Sequence, residues 1–254
     1  MKKNRNKLQA LLAYERGQPL FYKYLRNNGF TSQLLQKYRK SNWLERVAPE
    51  VYKHTDKPLS PLLSIKAMQE QEFKHKLDFV LGGQSALYLQ GVRHFLKKAQ
   101  TYYVFRTDQS RTPHLKWLKS QKIYNVVAMP LFKTRRPLVD SVVNIEGLIV
   151  SSPERALLEM AYLVPTKADY DEFVKLMELC PSLRSNLLQT LLEKCVSIKA
   201  KRLFLYVAST VNHPWYKKLN ETKIDLGTGA RQLVVGGKYI GRYAICVPEG
   251  SNFG

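Results

Sequence analysis

Cysteine is scarce in this chain. Its 254 residues hold Cys180, Cys195 and Cys246, with no Cys-x-x-Cys among them. That spacing indicates neither a disulfide framework nor a zinc site, and free thiols are expected. Long apolar runs are missing too. No stretch approaches the roughly eighteen apolar residues of a membrane span, and the N-terminus opens on Lys and Asn without an apolar leader segment. A cytoplasmic protein with no membrane partner is expected. Histidine offers no ligand pair at i, i+4: His54, His75, His94, His114 and His213 are scattered, and each reads as a packed or surface residue. No metal and no cofactor are expected. Acids are few, with 20 Asp and Glu against 41 Lys and Arg, a net charge of +21 and a pI near 9.9. A surface of that sign suits a polyanionic partner. The 44% of hydrophobic residues suffices for a packed core and argues against a disordered basic tail.

The charge is unevenly spread. The first sixty residues carry thirteen Lys and Arg against four acids, an excess of nine, and the remaining 194 residues hold the other +12. This dense region has the pattern of three short helices and an alternating strand pair. Leu8, Leu11 and Leu12 recur at helical spacing before Gly17; Leu20, Tyr24 and Leu25 mark a second helix ended by Asn27-Asn28-Gly29. Thr31 is a suitable N-cap for a third helix with Leu34, Leu35 and Tyr38 on its apolar side. Residues 43–47 and 51–52 read as a two-stranded wing joined by Ala48-Pro49-Glu50. Such an order is that of a winged helix-turn-helix.

At about 100° per residue, Gln33, Gln36 and Lys40 project from the third helix away from its apolar side. Glutamine can pair with adenine in the major groove, and lysine can bond guanine or phosphate. These are the expected base readers. Lys37, Arg39, Arg46 and Lys53 are better placed for backbone phosphates, which position without specifying.

Farther along, a connecting helix is expected over 62–73 and a short strand over 77–81. Gly82-Gly83-Gln84-Ser85 and a helix over 86–89 follow. Strands are expected at 101–105, 124–129 and 142–150. Ser151-Ser152-Pro153-Glu154 has helix-start chemistry, with Pro153 at the first helical position or Ser151 and Glu154 as a capping box. Helices at 169–179, 187–195 and 199–211 precede a hairpin of 232–235 and 243–247 around Gly236-Gly237.

Through nearly its full length the chain resembles the AbiEi family, the antitoxins of type IV (abortive-infection) toxin–antitoxin systems. The resemblance rests on ordered blocks: Trp43-Leu44 with Val51-Tyr52; Gly82-Gly83-Gln84-Ser85-Ala86-Leu87 with Gln90-Gly91; Ser151 through Glu159; Lys199-Ala200-Lys201-Arg202-Leu203-Phe204-Leu205; His213-Pro214-Trp215; and Leu226-Gly227-Thr228-Gly229 with Arg231. It implies an autorepressor whose winged helix binds inverted repeats in double-stranded DNA of its own promoter. It also implies a C-terminal domain that antagonises a separate nucleotidyltransferase toxin without requiring a stable complex.

A nucleotidyltransferase-like enzyme is the alternative. Gly82-Gly83 after a strand has the form of a phosphate-gripping turn, yet the strand that follows lacks Asp-x-Asp and offers only Asp108 beyond its end, where Mg²⁺ chemistry needs paired carboxylates. Glu221-Thr222-Lys223 matches half of a nuclease site, but Asn220 suggests a turn there. Arg202, Arg231 and Arg242 are candidates for a second basic surface. The expectation is therefore an α+β protein with no catalytic residues: a winged helix-turn-helix over 1–75 and a larger mixed α/β antitoxin domain over 76–254. The basic row Lys199, Lys201, Arg202 and Arg231 is its expected antitoxin surface.

Overall fold

A computed structural model of the chain describes residues 2–93, 101–107, 114–128, 131–132 and 139–249. It opens with α1 (Lys2–Leu12), β1 (Leu20–Phe21), α2 (Tyr22–Asn27), α3 (Ser32–Lys40), β2 (Leu44–Ala48) and β3 (Val51–His54). The strands form an antiparallel sheet in the order β1-β3-β2. Leu11, Leu20, Leu25, Phe30, Leu35, Tyr38, Leu44 and Tyr52 fill a small core between this sheet and the helices. Leu20 lies on β1, opposite Tyr52, and not on the second helix as its spacing suggested. The pairing across the sheet outweighs the local helical pattern, and α2 starts only at Tyr22.

Helix α4 (Pro61–Gln71) joins this unit to the rest through two glutamines. Gln71 accepts the Phe21 N–H at 2.9 Å and donates to the Pro19 carbonyl at 3.0 Å, holding β1. Gln69, fully buried, donates to the carbonyls of Phe79 (2.7 Å) and Ile149 (2.9 Å) and accepts the Ile149 N–H at 3.0 Å. One helix thus bonds to both sheets, and a division after residue 75 leaves its buried Ile65, Ala67 and Met68 without the strands they pack on.

The larger sheet contains β4 (Phe79–Leu81), β5 (Tyr102–Arg106), β6 (Tyr124–Val127), β7 (Val142–Ile145) and β8 (Leu148–Ser151) in the order β6-β5-β4-β8-β7. Pairs β4–β8 and β5–β6 are parallel; β4–β5 and β7–β8 are antiparallel. The single strand expected over 142–150 is a hairpin. Glu146 and Gly147 both take positive φ, 50° and 87°, as a two-residue type I′ turn requires. Helices α5 (Gly83–Leu89) and α6 (Leu115–Ser120) follow β4 and precede β6.

The helical part comprises α7 (Pro153–Leu163), α8 (Tyr170–Glu178), α9 (Ser185–Lys194) and α10 (Ile198–Val211). Helix α7 is buried at nearly every position and packs against α5, α8, α9 and α10. A small terminal sheet holds β9 (Arg231–Gln232), β10 (Lys238–Ile240) and β11 (Ile245–Val247) in the order β10-β11-β9. Here the expected hairpin is re-paired: β11 runs parallel to β9 and antiparallel to β10. Gly237 lies against this sheet, where a Cβ would collide with the Val247 carbonyl. Mixed helices and sheets in these two regions make the fold α+β.

Candidate nucleic-acid interface

Helix α3 is set by its two ends. Gly29 takes φ +80° after the α2 C-cap Asn28, and Thr31 caps α3 by accepting the Leu34 N–H at 3.2 Å. Buried Phe30 between them anchors the turn in the small core. With Leu35 and Tyr38 facing that core, Gln33, Gln36, Lys37, Arg39 and Lys40 are all exposed. Lys37, Arg39 and Lys40 sit in the last turn, where cations complement the helix dipole.

Between α3 and the wing lies an open cleft of about 680 Å³ lined by Gln36, Arg39, Lys40, Asn42, Leu44, Glu45, Arg46 and Thr55. The structure thus brings Gln36, Arg39, Lys40 and Arg46 to one concavity, while Gln33 and Lys37 are not on its wall. Asn42 and Thr55 are additions that the pattern of charges did not mark. Asn42 adopts φ +56° and its carbonyl accepts the Thr55 hydroxyl at 2.6 Å, a link that ties the end of α3 to the strand behind the wing. The only local signal was an Asn just past a helix end, which tolerates the left-handed conformation.

Lys53 differs from its neighbours. Its ammonium is 2.8 Å from a Glu45 carboxylate oxygen and donates to the carbonyls of His54 (3.4 Å) and Lys57 (3.3 Å). It is engaged within the wing, whereas Arg46 donates only Nε to the Ala48 carbonyl at 3.3 Å and remains exposed.

The expected basic row in the C-terminal region does not form a surface. Lys201 and Arg202 are each 2% exposed. Lys199 is half-buried and donates to the carbonyls of Tyr162 and Val164 at the end of α7; burial pushes its pKa down to about 8. Arg231, on the chain that follows, is partly open. The reason is the packing of α10 against α7 and α8, which covers both sides of a helix whose residues 200–205 are all buried.

The glycine turn after β4 is occupied from within. The Gly83 N–H donates at 2.8 Å to Glu159 Oε2, and Glu159 is 0% exposed. Its other oxygen accepts the Ser151 hydroxyl at 3.0 Å and Arg155 Nε at 2.7 Å. A Cβ at residue 82 would collide with Glu159 Oε2 and stand 2.5 Å from the Phe105 ring. Glycine at 82 is therefore dictated by a protein carboxylate at the place where an anionic ligand would sit. Ser151 serves this cluster and not a capping box. Asp108 lies outside the described residues.

The other residues singled out by chemistry have internal roles. Glu221 accepts the hydroxyl of Tyr216 at 2.6 Å and Arg242 Nη2 at 3.2 Å, and Asn220 caps its turn by accepting the Thr222 N–H. His213 Nε2 meets the Glu178 carbonyl at 3.0 Å and Trp215 Nε1 donates to the Cys180 carbonyl at 2.9 Å, closing the end of α8. His54 is buried in the first unit, His114 stacks on Phe21 at 4.3 Å, and His94 lies outside the described residues. Among the described residues no group of three or more His, Cys, Asp and Glu is gathered, and no helix is long and apolar enough to cross a membrane.

Two family profiles together match residues 4–248 of this chain. The one described as "Transcriptional regulator, AbiEi antitoxin N-terminal domain" covers residues 4–98, and that described as "Transcriptional regulator, AbiEi antitoxin, Type IV TA system" covers 99–248. They meet between α5 and β5, although the five-stranded sheet continues through that point. A search of curated proteins finds no match. The crystal structure of the RV2827C protein from Mycobacterium tuberculosis superposes with a TM-score of 0.65 at 15% identity, covering 96% of this chain and 90% of that one, a likeness of fold.

Proposed function

The chain belongs to the AbiEi antitoxin family of type IV toxin–antitoxin systems, a family of transcriptional regulators, and on that premise we propose that it is a DNA-binding autorepressor that also antagonises a nucleotidyltransferase toxin. The observation that carries the DNA reading is the α3 cleft. A capped, rigid helix turns a polar and cationic side outward, and a basic wing residue faces it across a concavity. Gln36 and Lys40 on that wall are assigned to base edges, with Gln33 toward the helix start. Lys37, Arg39 and Arg46 are assigned to phosphates. The partner is double-stranded DNA of the chain's own promoter, with inverted repeats matched by two copies of the chain.

Antagonism of the toxin is assigned to the region beyond α4, without a stable complex, in a cytoplasmic protein. A binding role is favoured over catalysis, since the Gly83 N–H of the Gly82-Gly83 turn is already taken by the Glu159 carboxylate and is not open to a triphosphate. The test is a mobility-shift titration of the full-length chain on its own upstream region. Tight binding that weakens steeply with salt is expected, and Lys37→Ala with Arg39→Ala should weaken it on every sequence. Equal affinity of that double variant and the native chain would overturn the assignment of α3.

A further inference from the structure

Arg202 is a buried cation, 2% exposed. Its guanidinium donates to the backbone carbonyls of Leu226 (2.8 Å), Gly227 (3.0 Å), Gly229 (2.5 Å) and Ala244 (2.9 Å). Among the described residues no carboxylate is bonded to it. Buried charges are ordinarily paired, and carbonyl dipoles offset a full charge only in part. Burial and then the neighbouring Arg231 push its pKa down, with Tyr239 acting the other way.

These bonds organise the loop 226–231. Three of its carbonyls are turned inward onto Arg202, and Gly227 and Gly229 take φ of +62° and +71° to allow this. Thr228, Gly229 and Ala230 are exposed, and their N–H groups bond to no described residue. Arg231 folds back over them, donating Nη1 to the Ala230 carbonyl at 3.1 Å. The nearby Asp225 carboxylate is engaged by the Gly227 N–H at 2.8 Å. Successive N–H groups that bond to no described residue, beside a guanidinium, are donors suited to an anion.

We propose that the loop 226–231 is a phosphate-binding site, in which the N–H groups of Thr228, Gly229 and Ala230 and the guanidinium of Arg231 hold a phosphoryl group above the buried Arg202. The phosphoryl group belongs to a nucleotide or to a nucleic-acid strand. The site is independent of α3 and of DNA recognition there.

The test follows the backbone amide resonances of the full-length chain by NMR during titration with pyrophosphate, GTP and a short single-stranded RNA. Saturable shifts of the Thr228, Gly229 and Ala230 amides are expected, and they should persist in Lys37→Ala with Arg39→Ala. Arg231→Ala should weaken binding roughly tenfold or more, as removal of a charge-assisted hydrogen bond does. Thr228→Asp, which sets a carboxylate at an exposed position in the same loop, should abolish the shifts. The melting temperature reports that both variants are folded. Tighter binding of GTP than of RNA identifies a nucleotide site, and the reverse a strand site; either supports the proposal. Loop amides that do not move with any of the three probes, or variants that titrate like the native chain, would overturn it.

Discussion

The Glu159 carboxylate accepts the Gly83 N–H at 2.8 Å across 76 positions of sequence. That bond joins α5 to α7, and the other oxygen of the same carboxylate pairs with the buried Arg155 at 2.7 Å. Glu159→Gln leaves Arg155 buried without its counter-charge, so a loss of about 3–5 kcal/mol is expected in urea denaturation. Gly82→Ala, whose Cβ has no room beside Glu159 and Phe105, should also lose stability. A Glu159→Gln chain as stable as the native one would show that the cluster holds nothing together.

Glu154 and Arg184 give a pH dependence. Burial alone would push Glu154 up, but side-chain and backbone bonds from Arg184 overcome this and hold it below its ordinary 4.5. A carboxylate whose folded pKa is depressed contributes stability that is fully present above the unfolded value and lost as pH falls through the folded one. The stability difference between the native chain and Glu154→Gln should therefore be flat above about pH 5 and shrink below 4.5. Urea titrations at stepped pH check this; a constant difference down to acid would contradict it.

Within the wing, the ion pair of Lys53 with Glu45 predicts unequal roles for the basic residues. Lys53→Ala should change DNA affinity less than Arg39→Ala, because its ammonium is already engaged. Glu45→Gln should strengthen binding by removing a negative charge from the cleft wall. Fluorescence anisotropy over a range of salt reads the difference. The slope of log affinity on log salt should become shallower by about 0.9 in Arg39→Ala, which no longer neutralises its phosphate, and stay unchanged in Lys53→Ala.

The two proposed activities should separate. Lys37→Ala with Arg39→Ala should abolish repression in a promoter–reporter assay while still rescuing growth of cells expressing the toxin. Loss of both by the folded double variant would mean that neutralisation acts through DNA. Charge reversal at Arg202, by contrast, should lower the melting temperature, because its four carbonyl bonds inside the fold can no longer form.

The candidate DNA-binding helix was legible because its determinants are local. Thr31 caps three residues ahead, Gly29 supplies the left-handed turn, and Leu35 and Tyr38 repeat at helical spacing. Such signals act within one or two turns of chain, so residue order alone contains them. The α+β class, the start of α7 at Pro153 and the concentration of positive charge were determined in the same way. Only the tertiary structure decided which charged residues meet water. Lys201 and Arg202 look like a basic row until α7, α8 and the loop 226–231 close over α10. It also decided that β9 lies parallel to β11, that Gln69 and Gln71 bond two different sheets, and that a carboxylate from α7 fills the Gly82-Gly83 turn. Each of these depends on which distant segment supplies the partner, since a buried donor or charge is tolerated only where the folded chain brings one to it.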